Sequence, residues 1–530
     1  MTNTPKEYDA DVIVIGAGPA GLMSAILLGQ RGRSVIVVER HAAHYPLPRA
    51  VTFDDEAARL LSRIGIDADN DEKIQYFRDW YELKNGNGEV LARYDWRGQT
   101  KAGWHRLYWF NQPELEVRLA ERIQQIPAIK VARGSELLDL SQDGQSVSIR
   151  CREEATGIER VLSAKYLIGA DGANSLVRTK TALPVHDLGF QFDWLIVDIK
   201  TNEPMVFDPP IFQLCDPTRP TTVVPAGPGR RRWEFMVLPG ETPELLNNPD
   251  AAWRLLDKWG ANPQNCTLER HAVWRFQAKW AETWRSGRIL IAGDAAHLMP
   301  PFAGQGMCAA LRDANNLAWK LDLALAGLAD DGVLGTYGDE RREHVREFIN
   351  LSVGIGGVVC ITDPAEAAER DRAMMADLAA NGPKPSTDPN LSLGNGIWIE
   401  GHGCAGKLSS QGYVSFGGNT GRFDEFVDGG WAAIGWKLNP LDHISQLQRE
   451  VLDRLGVRAF EMTDEYKDGA IFDRDGTYKS WFDEIKSQII LIRPDFYVAI
   501  SCSAESFSRS LDELGAKMHL KVRSLELSPA

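Results

Sequence analysis

The run Asp11–Ile15 (DVIVI) is followed at once by Gly16-Ala17-Gly18-Pro19-Ala20-Gly21, then by a stretch with apolar Leu22, Ala25, Ile26 and Leu28, and then by Ser34–Val38 (SVIVV) ending in Glu39. Few architectures admit that order. An unbroken apolar run reads as a strand covered on both faces, and a glycine turn into a helix and back to a second such strand reads as a parallel βαβ crossover. Gly16 permits the tight turn, Gly18 lets the backbone approach a pyrophosphate, and Gly21 lets helix and strand pack closely, with Pro19 and Ala20 completing the loop. Glu39, 18 residues past Gly21, is placed to bind ribose hydroxyls, and a carboxylate there would repel a 2′-phosphate. Arg40 beside it joins the same candidate set. The sequence therefore predicts an α/β chain that opens with a Rossmann-like dinucleotide-binding unit.

A second stretch, Arg288–Lys320, repeats the logic. Ile289–Ala292 reads as a buried strand, and Gly293-Asp294 leaves a carboxylate at its carboxyl end, where open α/β sheets bind ligands. A loop with Pro300 and Pro301 follows, and then a helix from near Gly306 with the apolar stripe Ala310, Leu311, Ala314, Leu317, Ala318 and Leu321. Gly304 and Gly306 leave the first amides of that helix uncovered, a place for an anion or an electron-rich ring edge. Tyr166–Ala170 is a third buried strand, ending in Asp171-Gly172. Between these stretches, Arg49 could pair with a pyrophosphate. Asp54 and Asp55 read as a helix cap with dipole-favoured acids, the alternative being that Asp54 orients a substrate.

The net charge of −14, from 59 basic and 73 acidic residues without a basic run, argues against nucleic acid. The polar start lacks the apolar core of a signal peptide, and the longest apolar runs are too short to span a bilayer. Seven scattered cysteines, never spaced C-x-x-C, fit reduced thiols in a cytoplasmic protein rather than a disulfide framework or a metal site.

Taken together, Gly16–Gly21 with Glu39, Gly169–Arg178 (GADGANSLVR) and Gly293–Pro301 (GDAAHLMPP) with Gly304-Gln305-Gly306 resemble the single-component FAD-dependent aromatic hydroxylases, the group A flavoprotein monooxygenases. PRAV at Pro48, NQPELE at Asn111, RRWEF at Arg231 and RDANNLAWKL at Arg312 resemble the branch of 3-(3-hydroxyphenyl)propionate hydroxylase and phenol hydroxylase. The resemblance implies an FAD domain over residues 1–183 and 286–380, an inserted mixed β-sheet substrate domain over 184–285, and a thioredoxin-like domain over 397–530, after a linker at Asp377–Gly396. It implies that Gly16, Gly18, Gly21 and Glu39 hold the ADP half of FAD, that Arg49, Gln112 and Asp171 lie along the pyrophosphate and ribityl chain, and that Asp294 holds a ribityl hydroxyl. The amides of Gly304, Gln305, Gly306 and Met307 would face the pyrimidine edge of the flavin, and Pro301 would border the substrate ring. Cys308 stands where many relatives have Asn.

The activity so implied is hydroxylation of a phenolic or related electron-rich aromatic by O2, with NADH or NADPH docking transiently, through a flavin hydroperoxide. The phenol must be deprotonated or strongly hydrogen-bonded, which requires an acceptor nearby. The alternatives are an FAD-dependent reductase or dehydrogenase without oxygen insertion, and a binding protein that keeps FAD or ADP as structure.

In the middle region Trp194–Lys200, Thr221–Pro225, Arg232–Leu238 and His271–Phe276 read as strands. Trp233 and Phe235 share one face, Arg232, Glu234 and Met236 the other, and one of these faces should roof the site. Asp339–Arg346 reads as a solvated helix face, and glycine-rich Ser352–Val359 lacks the flanking strands of a second dinucleotide motif. The C-terminal domain, with Arg493-Pro494-Asp495, reads as structural or as the contact of a homodimer.

Overall fold

The computed structural model describes residues 8–385, 392–401 and 403–521. Part of the predicted linker, 386–391, and the last nine residues of the predicted C-terminal domain lie outside that set, as does residue 402. Asp377–Asn381 is not linker but the end of the helix Pro364–Asn381.

Parallel strands carry the centre of the eight-stranded first sheet. Ala10–Ile15 pairs with Val35–Glu39 on one side and Glu159–Gly169 on the other, and Ile289–Ile291 pairs beyond that. Ile15 stands opposite Gly169, and Gly169 opposite Ile291, so all three strands end at one level. The glycine turn, the Asp171 loop and the Asp294 loop therefore emerge side by side from the carboxyl edge. The helices Pro19–Gly29 and Gly306–Leu325 share the same apolar core beneath them. Two glycines make this packing possible. A Cβ on Gly16 (φ +102°) would lie 2.3 Å from the Ala170 carbonyl oxygen, and one on Gly21 would lie 2.0 Å from the Gly16 oxygen.

The second sheet has nine strands and is wider than the predicted 184–285 unit. All four predicted strands are present, as parts of Val185–Thr201, Thr221–Pro225, Arg230–Met236 and Cys266–Ala281, the third ending at Met236 rather than Leu238. Trp80–Asn85 and Val90–Asp95 join them, because Trp80–Asn85 pairs in parallel with Phe212–Cys215. Local alternation identifies these as strands, but only the tertiary fold sets which sheet they complete. The facing of the sheet is also settled. Trp233 and Phe235 pack with Leu195, Val197 and Val223 on the far side, while Arg232 and Glu234 point into the cavity described below.

The third sheet, of seven strands, has Ala432–Trp436, Arg458–Thr463 and Ile471–Asp473 in parallel at its centre, and Ile489–Ile492 and Val498–Cys502 antiparallel at one side. With the helices Gln446–Arg454, Thr477–Ile485 and Phe507–Lys517, it is the thioredoxin-like unit. Ser352–Val359 belongs to the long helix Gly335–Val359. Asp339–Arg346 does not form a solvated face: Glu340, Arg341 and His344 in the same helix are buried by the C-terminal unit and by the helix Gly306–Leu325. Among the described residues no single helix is long and apolar enough to cross a membrane.

Candidate active site

A cavity of about 360 Å³ lies between the carboxyl edge of the first sheet and the second sheet. Gly18, Pro19, Ala20, Arg49, Gln112 and Asp294 line one end, Pro301, Gly304, Gly306 and Met307 the middle, and the second sheet the roof.

Each loop is held by bonds to other parts of the chain. Glu39 accepts from the Ala17 amide at 2.7 Å and the His41 amide at 2.8 Å, which fixes the glycine turn to the end of the second strand. A Cβ on Gly18 would meet no atom within 4 Å, so the backbone here faces open space of the kind a pyrophosphate needs. Gln112 caps the Arg49 loop by accepting from the Ala50 amide at 2.6 Å. Arg49 reaches Glu116 at 3.4 Å and stays largely exposed towards the cavity.

The Asp294 loop is clamped from behind. The Gly293 amide donates to Asp313 at 3.0 Å, and Asp313 also meets His297 at 2.7 Å and Arg341 at 2.9 Å. Burial would push the Asp313 carboxyl up, but His297 and Arg341 outweigh it and hold the group below its usual range. Arg178 donates to Ala295 O and Ala173 O, both at 2.8 Å, and so ties the Asp171 and Asp294 loops together. Asp294 itself shows its exposed surface to the cavity. Burial by the surrounding protein pushes its carboxyl up, against the pull of His297 and Arg49.

Not every predicted residue reaches the cavity. Asp171 accepts from the Ser175 hydroxyl at 2.6 Å and the Val177 amide at 3.1 Å, so it shapes its own loop. Arg40 is exposed against His41. Gln305 stands at the N-cap position of the long helix without capping it, and its side chain instead accepts from Arg312 at 3.0 Å. Asp54 takes the helix-cap reading rather than the substrate-orienting, catalytic one. Its carboxylate accepts from the Ala57 amide at 3.0 Å as a helix cap and is paired with buried Arg312, so both oxygens are engaged away from the cavity lining. The Cys308 thiol turns inward towards the Gly304 carbonyl at 3.8 Å.

The substrate half is aromatic and apolar. Phe302 meets Trp194, Phe276 and Phe190 edge-on at 5.4, 5.8 and 6.3 Å between ring centroids. Ile196, Ile211 and Val224 complete the wall. Arg232 pairs with Asp198 at 2.7 Å and donates to the Arg49 carbonyl at 2.6 Å, while Arg270 donates to the Pro48 carbonyl, so the roof holds the Arg49 loop. Sequence reasoning missed Asp313, Arg232 and Arg270 as site-builders. For Asp313 and Arg232 the signal was present in the RDANN and RRWEF phrases but pointed to a family rather than to contacts.

The comparisons agree with this geometry. Residues 9–352 match the family described as FAD binding domain, and residues 406–517 match the HcaD C-terminal domain. The chain is 35% identical over 491 residues to a Rhodococcus jostii protein named "Probable NADH-specific resorcinol 4-hydroxylase", covering 92% of this chain and 91% of that one. It is 33% identical over 539 residues to the 3-(3-hydroxy-phenyl)propionate/3-hydroxycinnamic acid hydroxylase of Escherichia coli K12, covering 97% and 95%. Its fold matches the flavin-dependent monooxygenase PieE with a TM-score of 0.77 at 20% identity, over 97% of this chain and all of that one. Aklavinone-11 hydroxylase superposes with a TM-score of 0.76 at 23% identity, over 97% and 99%. An open cradle at Gly18, a carboxylate at Asp294 and an uncapped helix start at Gly306 are what FAD requires of its site, and this chain belongs to the FAD-binding-domain family of single-component aromatic hydroxylases.

Proposed function

We propose that this aromatic hydroxylase acts on a small phenol, with NADH as its reductant. The observation that carries the reading is the single cavity, which runs from the dinucleotide cradle at Gly18 to an aromatic wall at Phe302 and Phe276. The relative named as NADH-specific and as a resorcinol hydroxylase supports both parts.

Bound FAD supplies the oxygen-activating chemistry that no side chain here can provide. The chain supplies position and electrostatics. Gly16 and Gly21 build the turn, and Gly18, Pro19 and Ala20 border the pyrophosphate, with Glu39 on the ribose side and Arg49 and Gln112 along the chain of the cofactor. Asp294 takes a ribityl hydroxyl. The first-turn amides of the helix Gly306–Leu325, at Gly306 and Met307, favour negative charge at the ring edge without a charged side chain. Pro301 and Phe302 would exclude water from the place where a substrate ring meets the cofactor. The domain division we propose follows the sheets, with Trp80–Asp95 counted in the substrate unit. Seven unpaired, buried cysteines support a reducing, cytoplasmic setting.

The test is a panel of phenols, including resorcinol and 3-(3-hydroxyphenyl)propionate, assayed with NADH and with NADPH for substrate-stimulated oxidation and oxygen uptake. A product heavier by one oxygen is expected, with NADH preferred. Stimulated NADH oxidation with no oxygenated product from any phenol would replace this reading by the dehydrogenase alternative.

A further inference from the structure

The roof of the cavity carries a cross-strand polar row beside apolar Ile196, Ile211 and Val224, with Arg232 and Arg270 next to it. Glu234 stands directly opposite Thr222 on the neighbouring strand, and Thr222 directly opposite Gln213 on the next. Cross-strand partners share a face, so all three side chains project from the roof into the cavity, flanked there by Ile196, Ile211 and Val224. Thr222 donates its hydroxyl to the Gln213 side-chain oxygen at 2.6 Å, which leaves the Gln213 amide NH2 facing the Tyr81 hydroxyl and the cavity. The Tyr81 hydroxyl lies in the same wall, buried and without a hydrogen-bond partner.

Glu234 is the unusual member. It is only 5% exposed, yet among the described residues its carboxylate accepts no hydrogen bond. Arg232 on its own strand is 3.7 Å away and already committed to Asp198 on the adjacent strand, through 2.7 and 2.9 Å bonds. Arg270, on the strand beyond, is the remaining charge that faces it. A buried carboxyl that has ion-pair neighbours but no hydrogen-bond donor is costly, and a ligand hydroxyl would complete its bonds.

We propose that Glu234 is the group that takes the substrate's phenolic proton, and that Gln213 and Thr222 beside it seat a second polar substituent of the ring. This rests on the hydroxylase reading above. In the step, the substrate O–H bond breaks, an O–H bond to a Glu234 oxygen forms, and the electron pair stays on the substrate oxygen, enriching the ortho and para carbons. When the oxygenated carbon later sheds its own proton to water and the ring regains aromaticity, the Glu234 proton returns to the substrate oxygen. Neighbouring strands stand about 4.8 Å apart, close to the separation of two oxygens meta to each other on a benzene ring, so a meta-dihydroxybenzene spans adjacent positions of the row. Burial pushes the Glu234 carboxyl up to about 7, against Arg232 and Arg270 and with help from Asp198, which suits a base working near neutral pH.

The experiment uses the FAD-loaded full chain with resorcinol and phenol as probes. In wild type, kcat/KM for resorcinol should rise with pH through an ionisation near 7. Glu234→Gln, checked for one FAD per chain, should lose about a hundredfold at neutral pH. Its rising limb should move to the phenol's own ionisation, at about pH 10. A variant that keeps the limb near 7 overturns the assignment. If Glu234→Gln does not hold FAD, the wild-type profile decides, because a profile flat through neutral pH also overturns it. Gln213→Leu should raise KM about tenfold for resorcinol and leave that for phenol unchanged; an equal change for both overturns the seat. Wild type that hydroxylates no phenol would instead remove the function on which the proposal stands.

Discussion

Arg493 donates to both oxygens of Glu340, at 2.9 and 2.7 Å, and neither side chain has any exposed surface. Glu340 belongs to the helix Gly335–Val359 and Arg493 to the thioredoxin-like unit. Lys320 donates to the same carboxylate at 2.8 Å from the helix that begins at Gly306, and Asp495 balances the second cation at 2.9 Å from Arg493. Two cations and two anions, all buried, thus lock the C-terminal unit onto the helix whose first turn lies at the cavity. The C-terminal unit therefore acts as a brace for the site at a distance.

Glu340→Gln should be strongly destabilising, because it leaves Arg493 and Lys320 buried with one anion between them. Breaking a buried pair by removing one partner costs about 3–5 kcal/mol. Burial would raise the Glu340 carboxyl, but Arg493 and Lys320 outweigh it and hold it well below its ordinary range. A depressed folded-state value means that this stabilisation is present above about pH 4.3, the unfolded value, and is lost as pH falls below it. Urea unfolding across pH 3–7 should show wild type losing more stability on acidification than the variant. Parallel curves would show that the pair does not set this slope.

The glycines of the first turn should separate into two kinds. Gly16→Ala and Gly21→Ala should lower thermal stability, since their side chains would lie 2.3 and 2.0 Å from carbonyl oxygens. Gly18→Val should fold normally, because Gly18 has an ordinary φ of −80° and open space around its Cβ position. It should nevertheless lose FAD, since the new side chain occupies the pyrophosphate's place. The check is melting temperature beside flavin absorbance per chain. A yellow, stable Gly18→Val protein would move the cofactor elsewhere.

Asp294→Ala should leave the fold intact and weaken flavin binding. The loop is clamped by Asp313 and Arg178, not by Asp294, whose side chain shows itself to the cavity. A hydrogen bond to a charged group contributes about 1.5–3 kcal/mol, or roughly a ten- to hundredfold loss of affinity. Flavin titration of the apoprotein reads this directly, and an unchanged dissociation constant would free Asp294 of the role.

The parts of this architecture that were legible from sequence are those fixed by short-range pattern. The turn at Gly16–Gly21, the strand ends before Asp171 and Asp294, and the helix start at Gly306 each follow from a few adjacent residues, and the structure places them within one residue or so. Asp54 was ambiguous because a helix cap and a substrate-orienting acid carry the same local signal; only buried Arg312, 258 positions away, decides it. Glu340 and Arg341 were misread as solvated because charge on a helix usually faces water, and their partners Arg493 and Asp313 lie far along the chain. The roof was half legible. Alternation gave the two faces of Arg232–Met236, but which face meets the site depends on how the second sheet stacks on the first.

The origin of the product's new oxygen tests the site as a whole. Pro301 and Phe302 join the first turn at Gly306 to the aromatic wall of the cavity, where a substrate ring would lie beside bound FAD. Reduced flavin reacts with oxygen more readily as the anion, and the amides of that first turn favour the anion. The product hydroxyl should therefore derive from molecular oxygen and sit ortho or para to an existing hydroxyl. Turnover under labelled oxygen gas should give a product carrying one label, and turnover in labelled water a product carrying none. Label arriving from water, or conversion that continues undiminished without oxygen, would assign the cavity to hydride chemistry instead.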